Sequence, residues 1–255
     1  MFKFATNSLS LSRIWGNSFK LYSFTLGKIW LVAFIMMLIT GFPGLLAPKS
    51  QVAVNAQNAA ANVTPPPTHV SALYVVLFII ALLITWYVSA VILHRMYNLA
   101  SEPTSKLSTS AKFVLSKYLL IIVALAITSI ISLAGLLVFV VPGVFVTILF
   151  LFTLPFILFD NAGCISAIKS SCKLVWGNWW RTFAVFLVPA MIIVIVELLI
   201  PGILKNVPAW INMIIDSLVL SILFPYIQAV ILVQFNDLKL RQMPIPTEST
   251  NNPAA

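Results

Sequence analysis

Charge is what this chain has least of. Of its 255 residues 8% are charged, and acids are scarcer than bases, six Asp and Glu against fifteen Lys and Arg. A soluble domain of this length needs charge to clothe its surface. Here 61% of residues are hydrophobic and the mean hydropathy is +1.05, more apolar surface than one core buries, so lipid is the expected solvent. The two cysteines, Cys164 and Cys172, lie eight residues apart on one predicted cytoplasmic helix, where no disulfide is expected. The histidines, His69 and His94, fall on opposite predicted faces, which leaves too few ligands for a metal site. There is no HExxH, no GxSxG and no glycine-rich phosphate loop, so neither an enzyme nor a cofactor is expected. The net charge of +9 does not point to nucleic acid, because the bases sit at the ends of apolar runs and not on a solvated domain.

What is there is organised around Asp160 to Met191, where DNAGCISAIKSSCKLVWGNWWR runs unbroken into TFAVFLVPAM. The stretch reads as a helix lying on a membrane surface and then turning into the bilayer. It repeats the N-terminus at an offset of 153. Ser18, Lys20 and Leu21 face Ser171, Lys173 and Leu174; Asn17 faces Ser170, Lys28 faces Arg181, and the apolar run from Ile29 faces the one from Thr182. At helical spacing Leu11, Ile14, Trp15, Phe19 and Tyr22 form an apolar stripe opposite Arg13, Asn17 and Lys20. The later copy sets Ile165, Ile168, Cys172, Val175 and Trp179 opposite Ser166, Lys169, Ser170 and Lys173. Tryptophan and aliphatics on one side with Lys or Arg on the other suit the headgroup level. A fainter third copy is Ser110-Ala111-Lys112, ahead of the apolar run from Tyr118.

Six apolar spans are predicted, over 29–46, 71–93, 118–138, 142–159, 182–200 and 209–235. The first, at about 27 Å of helical rise, suffices for a hydrocarbon core about 30 Å thick. A signal peptide cleaved near Val54-Asn55-Ala56 is disfavoured, because the leader before that run is too long. Residues 47–70 read as an outer loop stiffened by Pro65 to Pro67. Val141-Pro142-Gly143 turns the third span tightly into the fourth. The expected fold is therefore all-α, a polytopic membrane protein of six transmembrane helices in three hairpins, each preceded by an amphipathic interfacial segment. It forms one membrane domain over 1–241, with a disordered tail at 242–255.

In this layout thirteen of the fifteen bases fall on one side, leaving Lys49 and Lys205 on the other. The cation bias toward the cytoplasm then puts both termini inside. Arg13, Lys20, Lys28, Lys112, Lys117, Lys169, Lys173 and Arg181, with Trp179 and Trp180, are the expected lipid-interface residues. Their partner is an anionic leaflet, where each cation is worth about 1 kcal/mol. Within the spans the carboxylates are Glu197 and Asp216, and intramembrane charge marks a functional candidate. The pair reads either as the ion or proton site of a carrier or as near-interface acids that neutralise Lys205.

From Val141 to Phe183 the chain resembles the uncharacterised YciC-like family of bacterial inner-membrane proteins. It is also similar to the membrane domain fused to some glycerophosphodiester phosphodiesterases. The elements in common are Pro142-Gly143 opening a span, Pro155 later in it and Asp160 at its end. Ala167, Ser171, Leu174 and Gly177-Asn178-Trp179 then precede Arg181 and Phe183. The resemblance implies a bacterial inner-membrane protein without an assigned activity. The phosphodiesterase's catalytic domain has no counterpart here, so that activity is not implied. The expected role is non-enzymatic, in membrane or envelope organisation at the anionic cytoplasmic leaflet. The alternative is a small-solute or ion carrier using Glu197 and Asp216. Protein partners and homo-oligomerisation stay open.

Overall fold

The computed structural model describes residues 2–45, 72–204 and 206–242. The expected outer loop, the tail beyond Gln242, Lys49 and Lys205 lie outside them. Among the described residues the chain is all-α, in the order α1 (Leu11–Leu45), α2 (Ala72–Ser101), α3 (Leu107–Ser116), α4 (Tyr118–Val138), α5 (Val140–Leu149), α6 (Thr153–Phe159), α7 (Cys164–Trp176), α8 (Trp179–Ile203) and α9 (Ala209–Gln242). Six stretches are long and apolar enough to cross a membrane: α1, α2, α4, α5 with α6, α8 and α9. This is the architecture of a multi-pass integral membrane protein, in which backbone polar groups are satisfied within each helix.

The spine is α1 against α9. They run antiparallel, with Leu9 beside Asp237, Tyr22 against Tyr226 and Gly41 beside Met213. On α1 the buried residues Ile14, Ser18, Leu21, Thr25, Ile29, Ala33 and Met36 recur at steps of three and four, which makes a narrow seam. On α9 Ser217, Ser221, Pro225 and Ala229 are buried. Lipid tails are as apolar as leucine, so helices associate in a bilayer where small side chains let backbones approach. Gly41 is such a point: a Cβ there would sit 2.9 Å from Met213 Cγ. Consecutive spans also touch, α1 with α2, α4 with α5, and α8 with α9. The α4–α5 turn is made by Phe139 in extended conformation (φ −158°, ψ 142°). Only glycine fits at Gly143, where a Cβ would lie 2.5 Å from the Leu136 nitrogen.

Several boundaries differ from the expected ones. The N-terminal amphipathic stretch and the first span are one continuous helix, 35 residues long. α2 continues past Leu93 to Ser101 and buries His94 and Arg95. α9 continues to Gln242, past the end expected at residue 235. The fourth span is broken between Leu149 and Thr153. There the Ser171 hydroxyl of α7 donates to Leu149 O (2.6 Å) and accepts from Phe152 N (3.1 Å). A side chain inserted into the backbone ladder is an ordinary cause of such a break.

Helix α7 buries Ala167, Ser171, Leu174 and Val175, while Ile165 of the expected apolar stripe is 57% exposed. The face that packs is the one with small residues and a useful hydroxyl. Bulky apolar side chains can face outward at no cost where the surroundings are lipid.

Candidate functional site

Asp237 sits near the end of α9 between Phe235 and Leu238, and its carboxylate is fully buried. Its Oδ1 accepts from the Leu9 backbone N–H at 2.6 Å. Its Oδ2 accepts from Arg181 Nε (3.2 Å) and Nη2 (3.1 Å) and from Arg241 Nε (2.9 Å). Both guanidinium groups also donate to Leu9 O, that of Arg241 at 2.8 Å. A buried charge is tolerable only when paired and hydrogen-bonded in this way. Two residues on, Lys239 donates to both oxygens of Asp160 at 2.7 Å and lies 5.0 Å from the centre of the Phe235 ring. Asn236 Nδ2 donates to Ala5 O at 3.0 Å. This clasp ties the N-terminal segment, the end of α6, the start of α8 and the end of α9 together. With its oxygens occupied by these donors, Asp237 is a fastening.

The expected lipid-interface residues divide into two groups. Arg181 belongs to the clasp, its side chain only 20% exposed. Lys117 donates to Ile157 O (3.2 Å) and to Asn161 Oδ1. Trp179 is half-buried, with Nε1 donating to Phe145 O at 3.2 Å and its ring stacked on Phe145 and Phe183. Lys28, though exposed, donates to Pro103 O at 2.6 Å. By contrast Arg13, Lys20, Lys112, Lys169 and Lys173 are exposed, and the ion pairs among the described residues engage Arg181, Lys239 and Arg241. Lys169 and Lys173 share the outer side of α7 with Trp176, and Trp180 follows at 76% exposure. On the same helix burial pushes the Cys172 thiol above its ordinary pKa, partly opposed by a backbone hydrogen bond.

Glu197 and Asp216 come together at the other end of the spine. They line one open cavity of about 300 Å³ with Gly41, Met213 and Asn212. Asn212 Oδ1 is buried there without a hydrogen-bond partner among the described residues. Among the described residues no three His, Cys, Asp or Glu side chains gather as a metal site.

Sequence reasoning passed over Asp237, which lies just beyond the end expected for the last span. The available signal was the spacing of Asp237 and Arg241, one helical turn apart. It also weighed only carboxylates within the spans and so missed Gln228, which is 5% exposed.

No curated protein and no solved structure matches the chain. A family match covers residues 107–237 and carries the description Domain of unknown function (DUF7847). It runs from α3 to the late turns of α9 and includes both Arg181 and Asp237. Since the matched stretch is more than half of the polypeptide, the chain belongs to the DUF7847 family.

Proposed function

We propose that this is a bacterial inner-membrane protein, kin to the YciC-like family, with both termini in the cytoplasm. Its role is non-enzymatic: it organises the membrane or envelope by holding the anionic cytoplasmic leaflet. One observation carries the reading. Arg13, Lys20, Lys112, Lys169 and Lys173 are exposed and have no carboxylate partner among the described residues. Lys169 and Lys173 also stand beside the exposed Trp176. Indole at the headgroup level with unpaired cations next to it is a surface matched to anionic lipid. The test is lipid enrichment around the full chain in mixed phosphatidylglycerol and phosphatidylcholine nanodiscs. Lys169→Gln with Lys173→Gln lowers phosphatidylglycerol enrichment roughly tenfold at low salt, and less at high salt. Equal enrichment in the variant sinks the proposal.

The carrier reading rests on a different observation, the cavity that gathers Glu197, Asp216 and the unpartnered Asn212 Oδ1. Glu197→Gln with Asp216→Asn then abolishes proton or cation flux into proteoliposomes. A protein that gives no flux before the substitution is not a carrier of either.

A further inference from the structure

A second cavity, of about 330 Å³, lies between α2, α4, the broken α5–α6 segment and α9. Its lining includes Ser89, Thr128, Ser129, Ser132, Thr147 and Gln228 and, among the described residues, contains no charged one. Trp86, Phe150 and Leu154 are among its apolar walls. Gln228 is the polar anchor: it is 5% exposed, and its Oε1 is buried without a hydrogen-bond partner among the described residues. A buried amide oxygen left unpaired costs stability unless something supplies a donor. The Thr128 and Thr147 hydroxyls donate to Ala124 O (3.0 Å) and Gly143 O (2.8 Å) of their own helices, so each oxygen remains able to accept. The cavity therefore asks for a ligand that donates hydrogen bonds.

Charge narrows the class. A phosphate would meet no cation in this lining, and an ammonium would meet no carboxylate. Access narrows it further. Ser129 lies exposed at the rim, and its neighbours Ile130 and Leu133 are 67% and 58% exposed apolar side chains on a helix long enough to cross a membrane. The way in is through hydrocarbon. We propose that this cavity binds the hydroxyl-bearing head of an uncharged acyl lipid of the diacylglycerol type. The acyl chains lie against the apolar walls, and the hydroxyl donates to the acceptors around Gln228. This site is separate from the cationic surface, and neither proposal depends on the other.

The experiment uses the full chain in phosphatidylcholine nanodiscs with photoactivatable dioleoylglycerol, and the same label on phosphatidic acid as the comparison. Dioleoylglycerol labels peptides of α4 and α9 and phosphatidic acid does not. Gln228→Leu, which removes the unpaired amide and so is not expected to destabilise, lowers labelling roughly fivefold. Should that variant fail to fold, Ser132→Leu, which fills the half-buried lining, carries the same decision. Labelling that survives either folded variant, or that is as strong with phosphatidic acid, overturns the proposal. Displacement of the label by free glycerol overturns the lipid source and assigns the site to a soluble polyol.

Discussion

The two copies of the SFKL-like pattern are built from matching residues and behave differently. In α1 the copy runs straight on into its span as one helix, whereas in the later copy α7 stops at Trp176 and α8 starts afresh at Trp179. Yet the positions that sink into protein correspond. Ile14, Ser18 and Leu21 are buried in one, and Ala167, Ser171 and Leu174 in the other. The third copy follows, with Ser110 buried. In each, the lysine two residues after the serine is exposed: Lys20, Lys112 and Lys173. The repeat thus specifies which face packs, and local partners specify what the face does. The cation that closes each of the two longer copies makes the point. Lys28 donates to a single carbonyl, Pro103 O, whereas Arg181 reaches the buried Asp237.

That contrast gives the largest expected effect. Asp237→Ala leaves Arg181 and Arg241 without their carboxylate and the Leu9 amide without its acceptor. It is expected to cost roughly 3 kcal/mol or more of stability. Lys28→Met, at the corresponding place in the first copy, costs under about 1 kcal/mol because the exposed Pro103 carbonyl it releases is taken up by water. Thermal unfolding of the two variants in one detergent measures the difference. Equal losses would mean that the copies are fastened alike.

The serines give the next effect, with opposite signs. Ser171 Oγ bridges Leu149 O and Phe152 N, so Ser171→Ala strands two backbone groups at the break and costs about 1–3 kcal/mol. Ser18 Oγ is buried with no partner, so Ser18→Ala is neutral or stabilising by up to about 1 kcal/mol. A smaller effect is expected where the later copy breaks. Gly177 has a φ of −75° and open space around it, so Gly177→Ala keeps the fold and leaves stability unchanged or raises it by about 0.5 kcal/mol. If Gly177→Ala is strongly destabilising, the break between α7 and α8 depends on that glycine.

Much of the fold was legible because apolar runs of helical length have one outcome in lipid. The six spans follow from hydropathy, and Pro142-Gly143 marked a turn that the Gly143 contact with Leu136 explains. The faces were harder to read. Pattern reasoning placed Ile165 and Ile168 in an apolar stripe at the headgroup level and said nothing of which residues pack against the protein. In a bilayer Ala167 and Ser171 face the protein because they allow close approach and hydrogen bonding. Asp237 was illegible for a related reason: its partners, Leu9 and Arg181, are distant in sequence, and no periodicity within α9 announces them.

The last comparison concerns the position after each serine. Phe19 in α1 is 60% exposed, whereas its counterpart Cys172 is half-buried and carries a thiol that burial pushes up from its ordinary pKa. Desolvation disfavours the thiolate, so at pH 7 to 8 Cys172 stays protonated and reacts slowly with maleimide or iodoacetamide. The sign follows from linkage. Folding favours the protonated thiol, so its contribution to stability is complete below the ordinary thiol pKa and fades as pH rises through the higher folded value. Labelling of the Cys164→Ser protein at rising pH measures this directly. The rate is expected to climb later in pH than that of a free cysteine peptide and to match the peptide once detergent unfolds the helix. A Cys172 that labels as fast as the peptide in the folded protein would mean that α7 does not rest against α5 and that its buried face is open to water.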